Sequence, residues 1–150
     1  MTRRLLCLLA LPLLAACPPS PVDVVEDRTP PLGDRTPGII RSSYLRSPAL
    51  VAPAVVSAGQ TFQATVTTLG FSGCWRADGA EVATAAATAS IHPYDRQEGE
   101  VCTAALVELR RTVDLRFDTP GTAKIVVEGR SDPNEPQSGI VRVEQTVTVQ

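Results

Sequence analysis

Apolar and polar residues alternate with a period of two in several runs from about Pro48 onward. Phe62, Ala64 and Val66 alternate with Gln63, Thr65 and Thr67, and Val113, Leu115 and Phe117 with Asp114 and Arg116. Ala123, Ile125 and Val127 point away from Lys124 and Glu128. Val141, Val143, Val147 and Val149 share a face opposite Arg142, Glu144, Thr146 and Thr148. Successive side chains of a strand face opposite ways, so this period predicts half-buried strands that share one core, paired antiparallel. Turn residues separate the runs: Asp118-Thr119-Pro120-Gly121 before one strand, and Asp132-Pro133-Asn134-Glu135-Pro136 between the last two. Two stretches give no clean period. Val82 to Ile91 is an alanine-threonine run read as a strand, and Val101 to Leu109 fits a helical turn nearly as well as a strand.

Several strands spaced by turns over 48–150 predict an all-β sandwich. The length and the order of these runs resemble an immunoglobulin-like antiparallel β-sandwich of about seven strands. That resemblance implies that Asp118 to Gly121 turns the chain from one sheet to the other. It stops short of the antibody family, because no tyrosine corner is visible and Trp75 follows a cysteine instead of lying mid-strand between two.

Before residue 48 the pattern is different. Arg3 and Arg4 precede an apolar run from Leu5 to Leu14, interrupted only by Pro12. A spanning helix needs about 20 apolar residues, so this run is too short and reads as a cleavable signal peptide over 1–16. The general secretory route fits its minimal n-region better than twin-arginine export. Leu14-Ala15-Ala16-Cys17 then resembles the lipobox of bacterial lipoproteins. The resemblance implies diacylglyceryl transfer to the Cys17 thiol, cleavage just before Cys17 and acylation of the new amino terminus. Two or more acyl chains hold a protein on a membrane stably where one does not. Pro18 is not the aspartate associated with inner-membrane retention, so in a host with two membranes the outer one is expected, with the protein facing the periplasm or the cell surface.

Residues 17–47 carry the lipidated cysteine and then Pro18, Pro19, Pro21, Pro30, Pro31 and Pro37 among scattered charges. Asp27-Arg28-Thr29-Pro30 repeats as Asp34-Arg35-Thr36-Pro37. Proline removes donors and fixes an extended backbone, so a disordered tether is expected here. It would reach roughly 30 Å as a coil and roughly 90 Å as polyproline.

Charge narrows the partners. Fourteen basic and 16 acidic residues give a net charge of -2, which becomes -4 once Arg3 and Arg4 leave with the leader. Without a basic cluster, nucleic acid is not an expected partner. The membrane, through Cys17, and an envelope protein or polysaccharide are.

Of four cysteines, Cys7 leaves with the leader and Cys17 takes lipid. Cys74 and Cys102 remain as a pair, expected to form a structural disulfide in an oxidising compartment. Two cysteines and one histidine are too few for a closed zinc site, and no metal or other cofactor is expected.

The candidate chemistry is thin. His92 is the only histidine and could pair with Asp95 and a serine, but no nucleophile elbow is present, and a turn or strand-end role is expected. Asp132, Asn134 and Glu135 lack the spacing of a calcium loop and read as a solvated connection. Arg110 and Arg111 beside Glu108 read as a surface ion-pair cluster. The leading expectation is therefore a non-enzymatic, membrane-anchored binding or structural module. The alternatives are a small envelope enzyme using His92, and a periplasmic inhibitor or assembly factor acting through an exposed loop such as 93–100.

Overall fold

The computed structural model describes residues 34–150. The expected signal peptide, Cys17 and residues 18–33 of the expected tether lie outside them. Over the described residues the chain is all-β, with ten strands and no helix. Four strands are short: β1 (Thr36–Pro37), β2 (Ile39–Arg41), β3 (Leu50–Val51) and β4 (Val55–Val56). Six are long: β5 (Thr61–Gly70), β6 (Trp75–Ala85), β7 (Thr88–Gln97), β8 (Val107–Arg116), β9 (Gly121–Ser131) and β10 (Ile140–Val149).

Two groups of strands form around one core. β5 and β8 pair antiparallel from Thr61↔Arg116 to Gly70↔Val107, and β3 lies along β5. In the other group β6 and β7 form a hairpin, β9 and β10 form a second, β7 lies beside β9, and β4 runs along the end of β10. β2 joins the groups, since Ile39 pairs with Leu69 of β5 and with Arg130 of β9. The arrangement is consistent with a β-sandwich. Asp118 to Gly121 carries the chain from β8 in one group to β9 in the other, where the sequence places that turn.

Pairing is not uniformly antiparallel as expected. β7–β9, β2–β9 and β4–β10 are parallel. For the first the reason is topological: the return strand between β7 and β9 is β8, which lies in the other group. The two neighbours that remain therefore run the same way.

The alternation read from the sequence sets the core. Ala64, Val66, Val113, Leu115 and Phe117 from one group meet Ile91, Ala123, Ile125, Val127, Val147 and Val149 from the other, all buried. Asp114, Arg116, Lys124, Arg142 and Glu144 lie exposed on the opposite faces. The Phe62 and Phe117 rings, 5.8 Å apart and tilted, close the end of this core.

Ordered structure begins earlier than the boundary at residue 48. Thr36–Pro37 pairs with Asp95 and Tyr94 of β7, and β2 enters between β5 and β9. Ile39 and Ile40 are the reason: two adjacent isoleucines, both buried, give this proline-bordered stretch enough apolar surface to be held. Gly38 makes the crossing possible. A Cβ on it would lie 2.5 Å from Thr68 Cγ2, and its N–H donates to the Pro93 carbonyl at 2.8 Å.

The two ambiguous stretches also resolve. Val82 to Ile91 is a strand, a turn at Ala86 and Ala87, and the next strand, with Ala86 at φ 50°. Val101 to Leu106 is a loop, and regular pairing starts at Val107. Pro93, which has no N–H to donate, lies opposite Ala80 where the β6 register shifts between Ala77 and Ala80. Gly79 takes φ 75° within that bulge.

Candidate functional site

The cysteine pair is joined. Cys74 precedes β6 and Cys102 lies in the loop before β8, with Cα atoms 5.3 Å apart. The bond ties loop 98–106 to the turn that starts β6. Glu98 N–H donates to the Cys74 carbonyl at 2.9 Å and Gly73 N–H to the Thr103 carbonyl at 3.0 Å. Trp75 follows directly and packs beside Gly70, where an added Cβ would lie 2.4 Å from Trp75 Cβ.

His92 lies mid-strand in β7, half-exposed, and not at a strand end as expected. Three residues along a strand reverse the facing, so Asp95 points into the protein while His92 points out. The pairing that a hydrolase would need is absent between them. The neighbour of His92 is instead Glu128, 3.9 Å from Nδ1, and Glu128 also accepts a hydrogen bond from Arg142 Nε at 2.6 Å. Ser90 and Glu144 line the same shallow hollow.

Exposed Arg110 pairs with half-buried Glu108 at 3.2 Å, as the surface reading expected, but Arg111 does not belong to that cluster. It shares the inward parity of Val113 and Leu115 and is buried, forming an ion pair with buried Asp95. Its guanidinium donates to the carbonyl oxygens of Gly79, at 2.9 Å, and Tyr94. It also donates to Thr68 Oγ1 at 2.5 Å and to Asp95 Oδ1. The Thr68 hydroxyl in turn donates to Asp95 Oδ1 at 3.0 Å. Burial pushes the Asp95 carboxyl pKa up, against the opposing pull of the Arg111 charge and of the bonds from Arg111 and Thr68. Arg111 Nε is the one buried side-chain nitrogen or oxygen without a partner among the described residues. Sequence parity held the signal for this pair, because Asp95 and Arg111 fall in step with core residues of their own strands.

Asp132 is fully buried, against the expectation of a solvated connection. Its Oδ1 accepts bonds from Asn134 N–H at 2.9 Å and Asn134 Nδ2 at 3.1 Å, and its Oδ2 accepts one from Ser42 Oγ at 2.9 Å. Glu135 accepts from the Ser43 N–H at 2.6 Å. The carboxylates of the Asp132 to Glu135 connection thus hold the chain that follows β2. Among the described residues no group of three His, Cys, Asp or Glu side chains is placed to hold a metal ion.

Glu108 completes this hold. It accepts bonds from Ser47 Oγ at 2.8 Å, Ser47 N–H at 2.9 Å and Arg46 N–H at 2.7 Å, which bring its pKa down to about 2. A depressed pKa means that the contribution is complete above 4.5 and lost as pH falls from there through about 2. Glu108→Ala is accordingly expected to raise hydrogen exchange at the Arg46 and Ser47 amides at neutral pH, and acid should do the same to the parent. Unchanged protection of both amides in the variant would refute the latch.

Between this latch and the disulfide loop lies a groove of about 510 Å³ lined by Tyr44, Arg46, Leu69, Leu106, Val107 and Glu108. Tyr44 is 57% exposed, Leu106 47%, and Val101 in the stapled loop 97%. Such apolar side chains on a braced loop end can bind by contact, since the scaffold already fixes their positions. Comparison with protein-family models, curated proteins and solved structures gives no match to this chain.

Proposed function

We propose that this chain is a lipid-anchored envelope protein whose sandwich, immunoglobulin-like in kind, is a non-catalytic module for binding or for envelope structure. The observation that carries the reading is the division of labour among its side chains. Asp95, Arg111, Asp132 and Glu108 hold the framework together, while Tyr44 and Leu106 stand exposed around a groove beside the stapled loop. The envelope location rests on Leu14-Ala15-Ala16-Cys17 directly after the apolar leader. A partner protein or polysaccharide would meet the groove end.

Cys17→Ser tests the anchoring. The parent chain, expressed in a bacterium with the lipoprotein pathway, should incorporate labelled palmitate and fractionate with membranes, whereas the variant should do neither. Palmitate labelling of the variant would overturn the assignment.

One observation favours a second reading, an inhibitor or assembly factor. Val101 projects at 97% exposure from a loop closed by the disulfide, between Glu100 and Cys102. A rigid loop with an exposed apolar tip loses little entropy on entering a partner's cleft.

A further inference from the structure

We propose that the turn between Arg41 and Arg46 is the docking site for an acidic segment of a partner protein, with apolar residues between its carboxylates. The proposal rests on the binding-module reading above and names the chemistry of the ligand. The two arginines that bound this turn stand apart from the other cations. Both are exposed, and neither guanidinium meets an acceptor among the described residues. Lys124 and every other arginine there lie within 4.0 Å of a carboxylate or donate to a backbone carbonyl. One short segment therefore holds the uncompensated positive charge of the domain.

Each of the two arginines edges a hollow with an exposed apolar residue on its rim. Arg46 shares the groove of Tyr44 and Leu106, with buried Leu69 at its floor. The one carboxylate in that lining, Glu108, is already engaged by Ser47, the Arg46 N–H and the Arg110 guanidinium. Arg41 lines a second hollow of about 540 Å³ with Arg142 and with Ile140, which is 65% exposed. No carboxylate lines this one. Asp132 and Glu135 lie behind the turn, and their oxygens hold Ser42 Oγ and the Ser43 N–H without pairing with either arginine.

The turn itself is fixed. Leu45 N–H donates to the Ser42 carbonyl at 3.2 Å, closing a β-turn, and Tyr44 N–H donates to Ser42 Oγ at 3.2 Å. A site built before its ligand arrives loses little freedom on binding. Tyrosine and arginine are also the side chains on which interface energy concentrates. A guanidinium is a planar fork that takes a carboxylate through two parallel bonds, so each arginine calls for one Asp or Glu. The hollows beside them call for apolar side chains. A membrane surface offers nothing to fill two concave hollows. The hydroxyls of a polysaccharide would need polar partners where Leu69, Leu106 and Val107 stand.

Selection of displayed random peptides on the full-length chain, in non-ionic detergent, tests this. The selected peptides should carry two Asp or Glu residues flanking apolar ones. Fluorescence anisotropy should find them bound roughly tenfold more weakly by the Arg41→Gln, Arg46→Gln double variant. Its melting temperature should match the parent's, because neither guanidinium holds an acceptor. Raising salt from about 0.05 to 0.5 M should weaken binding by the parent strongly and by the double variant little. Peptides without acidic residues, or equal binding by the double variant, would overturn the docking site while leaving a binding module standing. A parent that binds no peptide, polymer or vesicle would count against both. Arginine-dependent binding of polygalacturonate, of vesicles containing phosphatidylglycerol, or of a second copy of the chain, in place of acidic peptides, would overturn the choice of partner. The salt response of the parent decides the matter if the double variant does not fold.

Discussion

Asp95→Ala should lower the stability of the domain by about 3–5 kcal/mol, among the largest effects of any single exchange in this chain. The loss arises chiefly from what is left behind. Arg111 is buried, its Nε already lacks a partner, and without Asp95 its charge would face only carbonyl oxygens and the Thr68 hydroxyl. Urea denaturation followed by tryptophan fluorescence of Trp75 measures it. A loss below about 1 kcal/mol would mean that the pair is hydrated in solution and not the buried contact described above. The double exchange Asp95→Leu with Arg111→Met should recover most of the loss, because two apolar side chains of similar volume remove the desolvation that pushes the Asp95 pKa up. The ion pair therefore contributes more to fixing how β7 faces β8 than to net stability.

The second large effect is expected from the disulfide. Cys74 and Cys102 lie 28 residues apart in sequence. Closing a loop of that length removes unfolded-state freedom worth about 3.6 kcal/mol in the chain-entropy model. Cys74→Ala with Cys102→Ala should lower the melting temperature by roughly 15 °C or more, at about 4–8 °C per kcal/mol for a domain near this size. Reduction of the parent should reproduce the shift. If the double variant melts within about 3 °C of the parent, the bond does not constrain the unfolded chain as argued. Local effects should also differ from those of Asp95→Ala, with loop 98–106 losing protection first because its tie to the β6 turn is gone.

Legibility in the sequence followed the length of each element. β8, β9 and β10 each carry enough alternating residues for the buried face to be read directly, and Ile125, Val127, Val147 and Leu115 fall where that face predicts. β1 to β4 span two or three residues, too few for any period to show. Their place depends on partners far along the chain, such as Arg130 for Ile39 and Thr148 for Val55. The β6–β7 hairpin was obscured for another reason. Its tip is exposed on both faces, so no hydrophobic pattern marks it. The buried charges do not stand out in the sequence, because a charged residue among strands ordinarily lies on the solvent face. The groove at Tyr44 and Leu106 had no local signal, since it forms only where the chain after β2 lies against the start of β8.

The long-range pairing of the short strands also sets an order in time. A chain is made, and crosses the membrane on export, amino end first. Among the described residues β4 has its only strand partner in β10, and Gln150 donates its N–H to the Val56 carbonyl. β2 likewise needs Arg130 and Ser131 of β9 to complete its place. The first strands to appear are thus among the last to be settled, and until the final hairpin arrives Ile39, Ile40 and Val56 remain without their cover. During that interval the nascent protein exposes apolar surface that the finished fold conceals. Its dependence on a holding chaperone should last until β10 has paired with β9 and β4.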